Sequence, residues 1–270
     1  MKHNSSVDLI ELKYGGIDLF VRRSEMFVFY ATFIADENFK LHIRPGDTVM
    51  DFGANIGDFT IKAARELKGR GRLIAIEPSR ENVKILRQNL EINNIKDVEI
   101  YECAISDHDG FANIYGKGSV DAHIAEGEKE RGERVTVHSI DTFLDEINIR
   151  NVRNTVVKMD IEGSERYAFE SEKFVEKIRE ISMELHGIEN VQRIPEILTQ
   201  NGFHVSEYRT SDYVRRTFKS IIHSPIDFLR IERRSNYLAL KGFLQSLNLK
   251  NPIPSLASKE LKMVYAVRKI

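Results

Sequence analysis

From Gly46 to Gly202, short runs of β-branched and aliphatic residues alternate with stretches in which apolar side chains recur every three or four positions. That rhythm predicts βαβ units around a mostly parallel sheet. Thr48 to Phe52 reads as the first strand after the turn signal Pro45-Gly46. It is followed by a helix over 58–68, with Phe59, Ile61, Ala64 and Leu67 apolar and Gly69 and Gly71 as its stop. Arg72 to Ile76 reads as the second strand, ending at Glu77-Pro78. Ser79 is the expected N-cap of the next helix, which carries Val83, Leu86 and Leu90 and closes at Asn93-Asn94. Val98 to Ile105, Thr155 to Ile161 and Ile181 to Leu185 continue the strand series, with a helix over 164–178 between the last two. Phe203 to Tyr208 and Met263 to Val267 complete it. Two further strands, Phe111 to Tyr115 and Arg134 to His138, flank a Gly- and charge-rich loop at 116–133, where mobility is expected.

The punctuation suggests three parts: an N-terminal segment 1–44, a core formed by 45–208 with 263–270, and an insertion 209–262 between the sixth and seventh strands. At 270 residues with 41% apolar and 30% charged positions, the chain is long enough to bury a core and is neither collagen-like nor disordered. Its lone Cys103 excludes an internal disulfide, so a cytoplasmic location is the default expectation. The first residues lack a signal-peptide apolar region, and the longest apolar run, Met26 to Ala35, is too short to span a bilayer.

A formal net charge of -1 hides an asymmetry. Residues 209–270 hold 13 basic and 4 acidic side chains, whereas residues 1–208 hold 27 basic and 37 acidic ones. An acidic body with a basic C-terminal region points to a binding surface.

The chemistry begins where the first strand turns into the first helix, at Asp51-Phe52-Gly53-Ala54-Asn55-Ile56-Gly57. Glycines there admit a ligand close to the backbone, and the helix N-terminus offers N–H groups. Asp51 would repel a pyrophosphate, and Glu77, 20 residues after Gly57, stands where a carboxylate accepts ribose hydroxyls. A ligand with ribose and a cationic group but no phosphate, such as S-adenosylmethionine, fits better than NAD.

The runs DFGANIG, IEPSRENVKILRQNLEINN, ECAISDHDG, VVKMDIEGSE and ISMELHG, in this order across residues 45–210, resemble the FkbM family of S-adenosylmethionine-dependent methyltransferases. The resemblance implies an α/β, Rossmann-like class I methyltransferase fold: a seven-stranded sheet in the order 3-2-1-4-5-7-6, its last strand antiparallel, with helices on both faces. It also implies O-methylation of hydroxyls on sugars, glycolipids or other small molecules. On this chain the backbone around Gly53, Ala54, Asn55 and Gly57, with Asp51, would hold the amino-acid part of the cofactor. Glu77 would bind ribose and Pro78 would pack near adenine. Cys103 and Ala104 fall at the end of the third strand, where many class I enzymes place an Asp on the adenine amino group. Cys103 cannot make that bond well, so recognition through backbone is expected, with Ser106 and Asp107 as nearby candidates. Asp107 also reads as a simple turn former.

Methyl transfer to a hydroxyl needs an aligned acceptor and a destination for its proton. Strand alternation puts Lys158, Asp160 and Glu162 on one side of the fourth strand and Ser182, Glu184 and His186 on one side of the fifth. The family resemblance implies Asp160 beside the methyl group, with His186 or Glu184 as the expected base. Plainer readings have Glu162 capping the next helix and Glu184 pairing with Lys158. A divalent metal held by these groups is the unfavoured variant, and no dedicated metal motif is present.

The sheet order that the resemblance implies would hang the insertion beside the active site. Its Arg209, Arg215, Arg216, Lys219, Arg230, Arg233 and Arg234 are interleaved with Tyr213, Phe218, Phe228 and Tyr237, and 235–247 reads as a helix. A cap over an anionic or sugar-like acceptor, an RNA-binding arm and a solvated helical layer all fit. The chain lacks an Asn-Pro-Pro-Tyr-type motif for base methylation, and a cofactor-binding module without turnover is a further alternative. Within the N-terminal segment, Ile17 to Val21 reads as a strand. Tyr30, in the apolar stretch 26–34, is either ordinary core or a contact with cofactor or acceptor.

Overall fold

The computed structural model describes residues 8–115, 123–124, 132–149, 154–227 and 260–269. A hairpin of β1 (Leu9–Tyr14) and β2 (Ile17–Arg22) opens the chain and leads into α1 (Met26–Phe29) and a π-helical turn at Tyr30–Ile34. The core then runs β3 (Thr48–Phe52), α2 (Asp58–Leu67), β4 (Arg72–Ile76), α3 (Arg80–Ile92), β5 (Glu99–Tyr101), β6 (Cys103–Ser106), β7 (Gly110–Tyr115), β8 (His123–Ile124), β9 (Glu133–Ser139) and α4 (Ile140–Glu146). It continues with β10 (Thr155–Met159), α5 (Glu165–Phe169), α6 (Glu172–Lys177), β11 (Ile178–His186), α7 (Ile188–Gln200), β12 (Phe203–Glu207), α8 (Thr210–His223) and β13 (Leu261–Arg268).

Seven strands form the central sheet in the order β12-β13-β11-β10-β3-β4-β5. The five strands from β11 to β5 are parallel, and β13 runs antiparallel to both β11 and β12. This matches the 3-2-1-4-5-7-6 order expected from the resemblance. Strand alternation divides the core between the two faces. Met50, Phe52, Val157, Met159, Ile181 and Met183 pack with Phe143, Phe174 and Ile194 from α4, α6 and α7, whereas Val49 and Val156 face the other layer with Phe59 of α2. Ser79 caps α3 by accepting from Asn82 N at 3.4 Å, as its position predicts.

The single third strand of the sequence reading is two strands in two sheets. β5 pairs with β4 in the central sheet, while β6 pairs parallel with β9 in a four-stranded sheet ordered β6-β9-β7-β8. The apolar pattern runs on across Glu102, so the change of partner leaves no mark in it. The expected helix over 164–178 is likewise two. It breaks before α6, where Ser171 accepts from Phe174 N at 3.2 Å.

Asn89 of α3 and Asn93, which follows its last turn, hold the hairpin. The Asn89 amide accepts from Phe20 N at 2.6 Å and donates to Phe20 O at 2.9 Å, imitating a neighbouring strand. Asn93 makes the same exchange with Asp18, at 3.2 and 2.5 Å. Tyr30 is buried in the core beneath the hairpin with its ring edge-on to Phe29. No helix among the described residues is long and apolar enough to cross a membrane.

Candidate active site

The loop from β3 to α2 is shaped by three left-handed backbones, Gly53 (φ 77), Asn55 (φ 48) and Gly57 (φ 86). Gly53 N and Ala54 N both donate to Ile76 O at 3.0 Å, pulling the loop across the end of β4. A Cβ on Gly53 would lie 1.8 Å from the Asp160 carbonyl oxygen, so only glycine permits this approach. Asn55 N donates to Glu77 Oε2 at 2.9 Å, and Ser79 N and Asn82 Nδ2 donate to Oε1 at 2.9 and 3.1 Å. Burial pushes the Glu77 carboxyl above its ordinary range, and these bonds work the other way.

Register then builds a polar row across three adjacent strands. Asp51, Lys158 and Ser182 are direct neighbours on β3, β10 and β11. Lys158 Nζ donates to Gly53 O at 2.8 Å and lies 3.6 Å from Asp51 Oδ1, while Thr60 Oγ1 donates to Asp51 Oδ2 at 2.6 Å. Burial alone would lower the Lys158 pKa. The charges of Asp51, Asp160, Asp58 and Glu37 outweigh it and hold the ammonium firmly protonated. Lys158 therefore serves Asp51 and the glycine loop rather than Glu184.

The N-terminal segment closes over this row. Ser182 Oγ donates to Asn38 Oδ1 at 2.7 Å, and the Thr32 hydroxyl donates to the Asp58 carboxylate. Burial raises Glu37 to about 7, with Asp58 and Asp160 adding repulsion against the attraction of Lys158 and Lys62. Burial also raises Asp58 to about 6, where Asp51 repels it while Lys158 and the Thr32 bond oppose the shift. Their reference values are 4.5 and 3.8, so the folded chain binds more protons than the unfolded one between about pH 4 and 7. The stability these groups lend is present at low pH and lost as pH rises through that window. Melting curves of the cofactor-free protein are expected to give a lower Tm at pH 7.5 than at pH 5. A flat or rising Tm would remove this account.

At the carboxyl edge the chain brings Asp160, Glu162, Glu184 and His186 together. His186 Nε2 lies 3.3 Å from Glu162 Oε2 and 4.0 Å from Asp160 Oδ1, and Nδ1 lies 2.9 Å from Glu165 Oε1. Burial disfavours the imidazolium, but the Glu165 bond and the charges of Asp160, Glu165 and Glu162 raise His186 to about 9. Glu184 is raised by burial first and then by Asp160, with His186 opposing. Among the described residues no hydrogen bond or ion pair engages the Glu184 carboxylate. Ahead of α5, Glu165 Oε1 accepts from Gly163 N at 3.1 Å.

The sequence reading passed over Glu165, which is buried and also accepts from Asn190 Nδ2 at 2.7 Å. Asn190, in the first turn of α7, also donates from Nδ2 to the carbonyl oxygen of His186 at the end of β11, at 2.8 Å. Glu37 escapes a reading of the sequence because the residues it faces, Asp58 and Lys158, lie in distant segments of the chain.

The third-strand candidates fare differently. Cys103 opens β6 in the second sheet with its side chain in the core, where burial pushes the thiol to about 12. Ala104 belongs to that sheet's own apolar cluster. Ser106 Oγ donates to Asp107 Oδ1 at 3.1 Å, and Asp107 in turn contacts His108 Nδ1 at 2.6 Å. Pro78 separates Glu77 from the cap Ser79. In the insertion, Arg216 pairs with Asp36 at 3.2 Å and stacks over Phe39, while Tyr213 is buried beside Tyr208. Arg230, Arg233, Arg234, Phe228, Tyr237 and the expected helix 235–247 lie outside the described residues, as does most of 116–133.

Three buried oxygens at this edge, Asp51 Oδ1, Asn55 Oδ1 and Asp160 Oδ1, have no hydrogen-bond partner among the described residues. All three are acceptors, so the site suits a ligand that brings donors or positive charge and disfavours a phosphate. With the glycine approach and the Glu77 carboxylate, the cradle fits S-adenosylmethionine.

A sequence profile described as Methyltransferase FkbM domain matches residues 51–205. Methyltransferase 1 of Beauveria bassiana (strain ARSEF 2860) is 28% identical over 144 residues, 45% of this chain and 57% of that protein. The chain thus spans little more than half the length of that relative. Among solved structures, methyltransferase FkbM from Methylobacillus flagellatus KT is 15% identical with a TM-score of 0.46, the match covering 88% of this chain and 47% of the other. M. jannaschii TYW2 in complex with AdoMet is 13% identical with a TM-score of 0.47, covering 98% and 89%.

Proposed function

We propose, for a chain that belongs to the FkbM family of S-adenosylmethionine-dependent methyltransferases, that it methylates a hydroxyl on a sugar, glycolipid or other small molecule. The observation that carries this reading is the convergence of two groups at one sheet edge. Asp51, Gly53, Asn55 and Glu77 form an acceptor-rich cradle, and Asp160, Glu162, Glu184 and His186 stand immediately beyond it. When bound, the cofactor supplies an electrophilic methyl on a sulfonium.

The chain's own residues account for the remaining requirements. Gly53 lets the loop lie against the Asp160 backbone, which brings Asp160 to the edge of the cradle, and in this reading its carboxylate orients the acceptor. Holding the acceptor oxygen in line supplies much of the rate for such a displacement. The hydroxyl proton passes to Glu184, the carboxylate of the set with no engaged partner among the described residues. Glu165 fixes the ring of His186 through Nδ1, which leaves Nε2 directed at Glu162 and Asp160.

A labelled-methyl transfer screen over sugars, glycolipids, small alcohols and RNA tests the reading. The expected result is label on a hydroxylated small molecule, with none in RNA at low or high salt. Label confined to RNA, with a steep loss of binding as salt rises, would overturn it in favour of the basic insertion as a nucleic-acid arm.

A further inference from the structure

We infer that Asp160, Glu162 and His186 form a divalent-cation site that holds the acceptor's oxygen. This deepens the proposed transfer to a hydroxyl and rests on that reading for the cation's role. One oxygen from each carboxylate and one ring nitrogen lie within 4.8 Å of one another. His186 Nε2 is 3.3 Å from Glu162 Oε2 and 4.0 Å from Asp160 Oδ1. Around a six-coordinate ion with bonds near 2.1 Å, adjacent donors stand about 3 Å apart, so modest side-chain rotations close the set.

Two observations separate this trio from an ordinary acidic patch. The first is the outer partner of the histidine. Metal-binding imidazoles almost always donate their second ring N–H to a carboxylate or carbonyl, which fixes the tautomer and aims the other nitrogen. Glu165 does this here. It is fully buried, contacts Nδ1 at 2.9 Å and is itself anchored by Asn190 Nδ2 at 2.7 Å and Gly163 N at 3.1 Å. The second is Asp160 Oδ1, an oxygen shielded from solvent, without a hydrogen-bond partner among the described residues, and turned toward Nε2.

Two carboxylates with one imidazole suit Mn²⁺ or a similar divalent ion, acting here without change of oxidation state. Three donors from the chain leave positions for the hydroxyl of the acceptor, or for two neighbouring hydroxyls. The ion would stabilise the alkoxide as its proton passes to Glu184. The oxygen then bonds to the methyl carbon as the carbon–sulfur bond breaks and sulfur keeps the electron pair, so no oxidant or reductant is required.

The test titrates MnCl₂ into the full chain by calorimetry and reads the bound ion by pulsed electron paramagnetic resonance. One Mn²⁺ per chain is expected, with nitrogen coupling from a single imidazole. His186→Gln should abolish the nitrogen coupling and weaken binding at least tenfold. Glu162→Gln should weaken binding comparably with the coupling retained, and Glu165→Gln by about tenfold or more. Calorimetry with S-adenosylmethionine on the same samples reports folding, and if His186→Gln does not fold, the wild-type nitrogen coupling and Glu162→Gln decide. An imidazole–carboxylate ion pair only, seen as no saturable Mn²⁺ binding or as binding unchanged in these variants, overturns the site. Methyl transfer is scored separately. Mn²⁺ bound without any hydroxyl acceptor counts against the proposed function and not the site, whereas methylation that survives chelation in a chain that binds no Mn²⁺ counts against the site alone.

Discussion

Gly53→Ala is expected to abolish cofactor binding, weakening it at least ~100-fold, and to lower the Tm markedly. Two effects combine at this position. The backbone is left-handed, at φ 77, which costs an L-residue roughly 1–2 kcal/mol. The new methyl would also sit 1.8 Å from the Asp160 carbonyl oxygen and 2.9 Å from its carbon, and those are backbone atoms that cannot swing aside. The Asp160 backbone is itself fixed, because its N–H donates to Phe52 O at 3.0 Å. Relief of the clash must separate β3 from the segment after β10 and pull Asp160 away from the cradle. Gly163→Ala is the internal control. Its φ is 100 and nothing lies within 4 Å of the added carbon, so it carries conformational strain without a clash. Calorimetry with S-adenosylmethionine and melting curves on both variants make the comparison. Binding by Gly53→Ala within threefold of wild type would disprove the close approach.

The second large effect is expected from Lys158→Met. Lys158 is the cation that balances the buried carboxylate of Asp51, and Asp160, Asp58 and Glu37 also act on it. Removing one member of a buried pair leaves an uncompensated charge, a loss of about 3–5 kcal/mol. At this chain length that is a fall in Tm of roughly 6–10 °C or more. Gly53 O would also lose its 2.8 Å bond, so the loop should loosen and cofactor affinity should drop. The double variant Asp51→Asn, Lys158→Met should recover part of the lost stability, because the stranded charge is gone. A Tm for Lys158→Met within 2 °C of wild type, by calorimetric scans at pH 7, would show that the lysine is not compensating Asp51.

These two positions also mark how far the chain could be read in advance. Gly53 and Asp51 were legible as a ligand-binding turn because strand end, glycines and helix start are contiguous in sequence. What Gly53 touches was not, since Asp160 is over a hundred positions away and the approach follows from the parallel register of β3 and β10. Lys158 was placed on the correct face by alternation, yet its partner was misjudged. Alternation assigns a side chain to a face but not to a neighbour. Glu165 was overlooked for the same reason: its contact with His186 joins α5 to the end of β11 across a crossover. The split of β5 from β6 escaped because a change of hydrogen-bonding partner alters no side-chain pattern.

By itself the sequence determined the α/β rhythm, the cofactor turn, the carboxylate at the end of the second strand and, through its family motifs, the strand order later seen in the sheet. Those features depend on periodicity and on turn chemistry carried by adjacent residues. The sequence reading expects the N-terminal segment over the cofactor side, but tertiary structure alone decided that Thr32, Glu37 and Asn38 are the residues it brings to the polar row, and that three carboxylates surround His186. Both depend on which distant segments pack together, and that is settled by burial of the whole core.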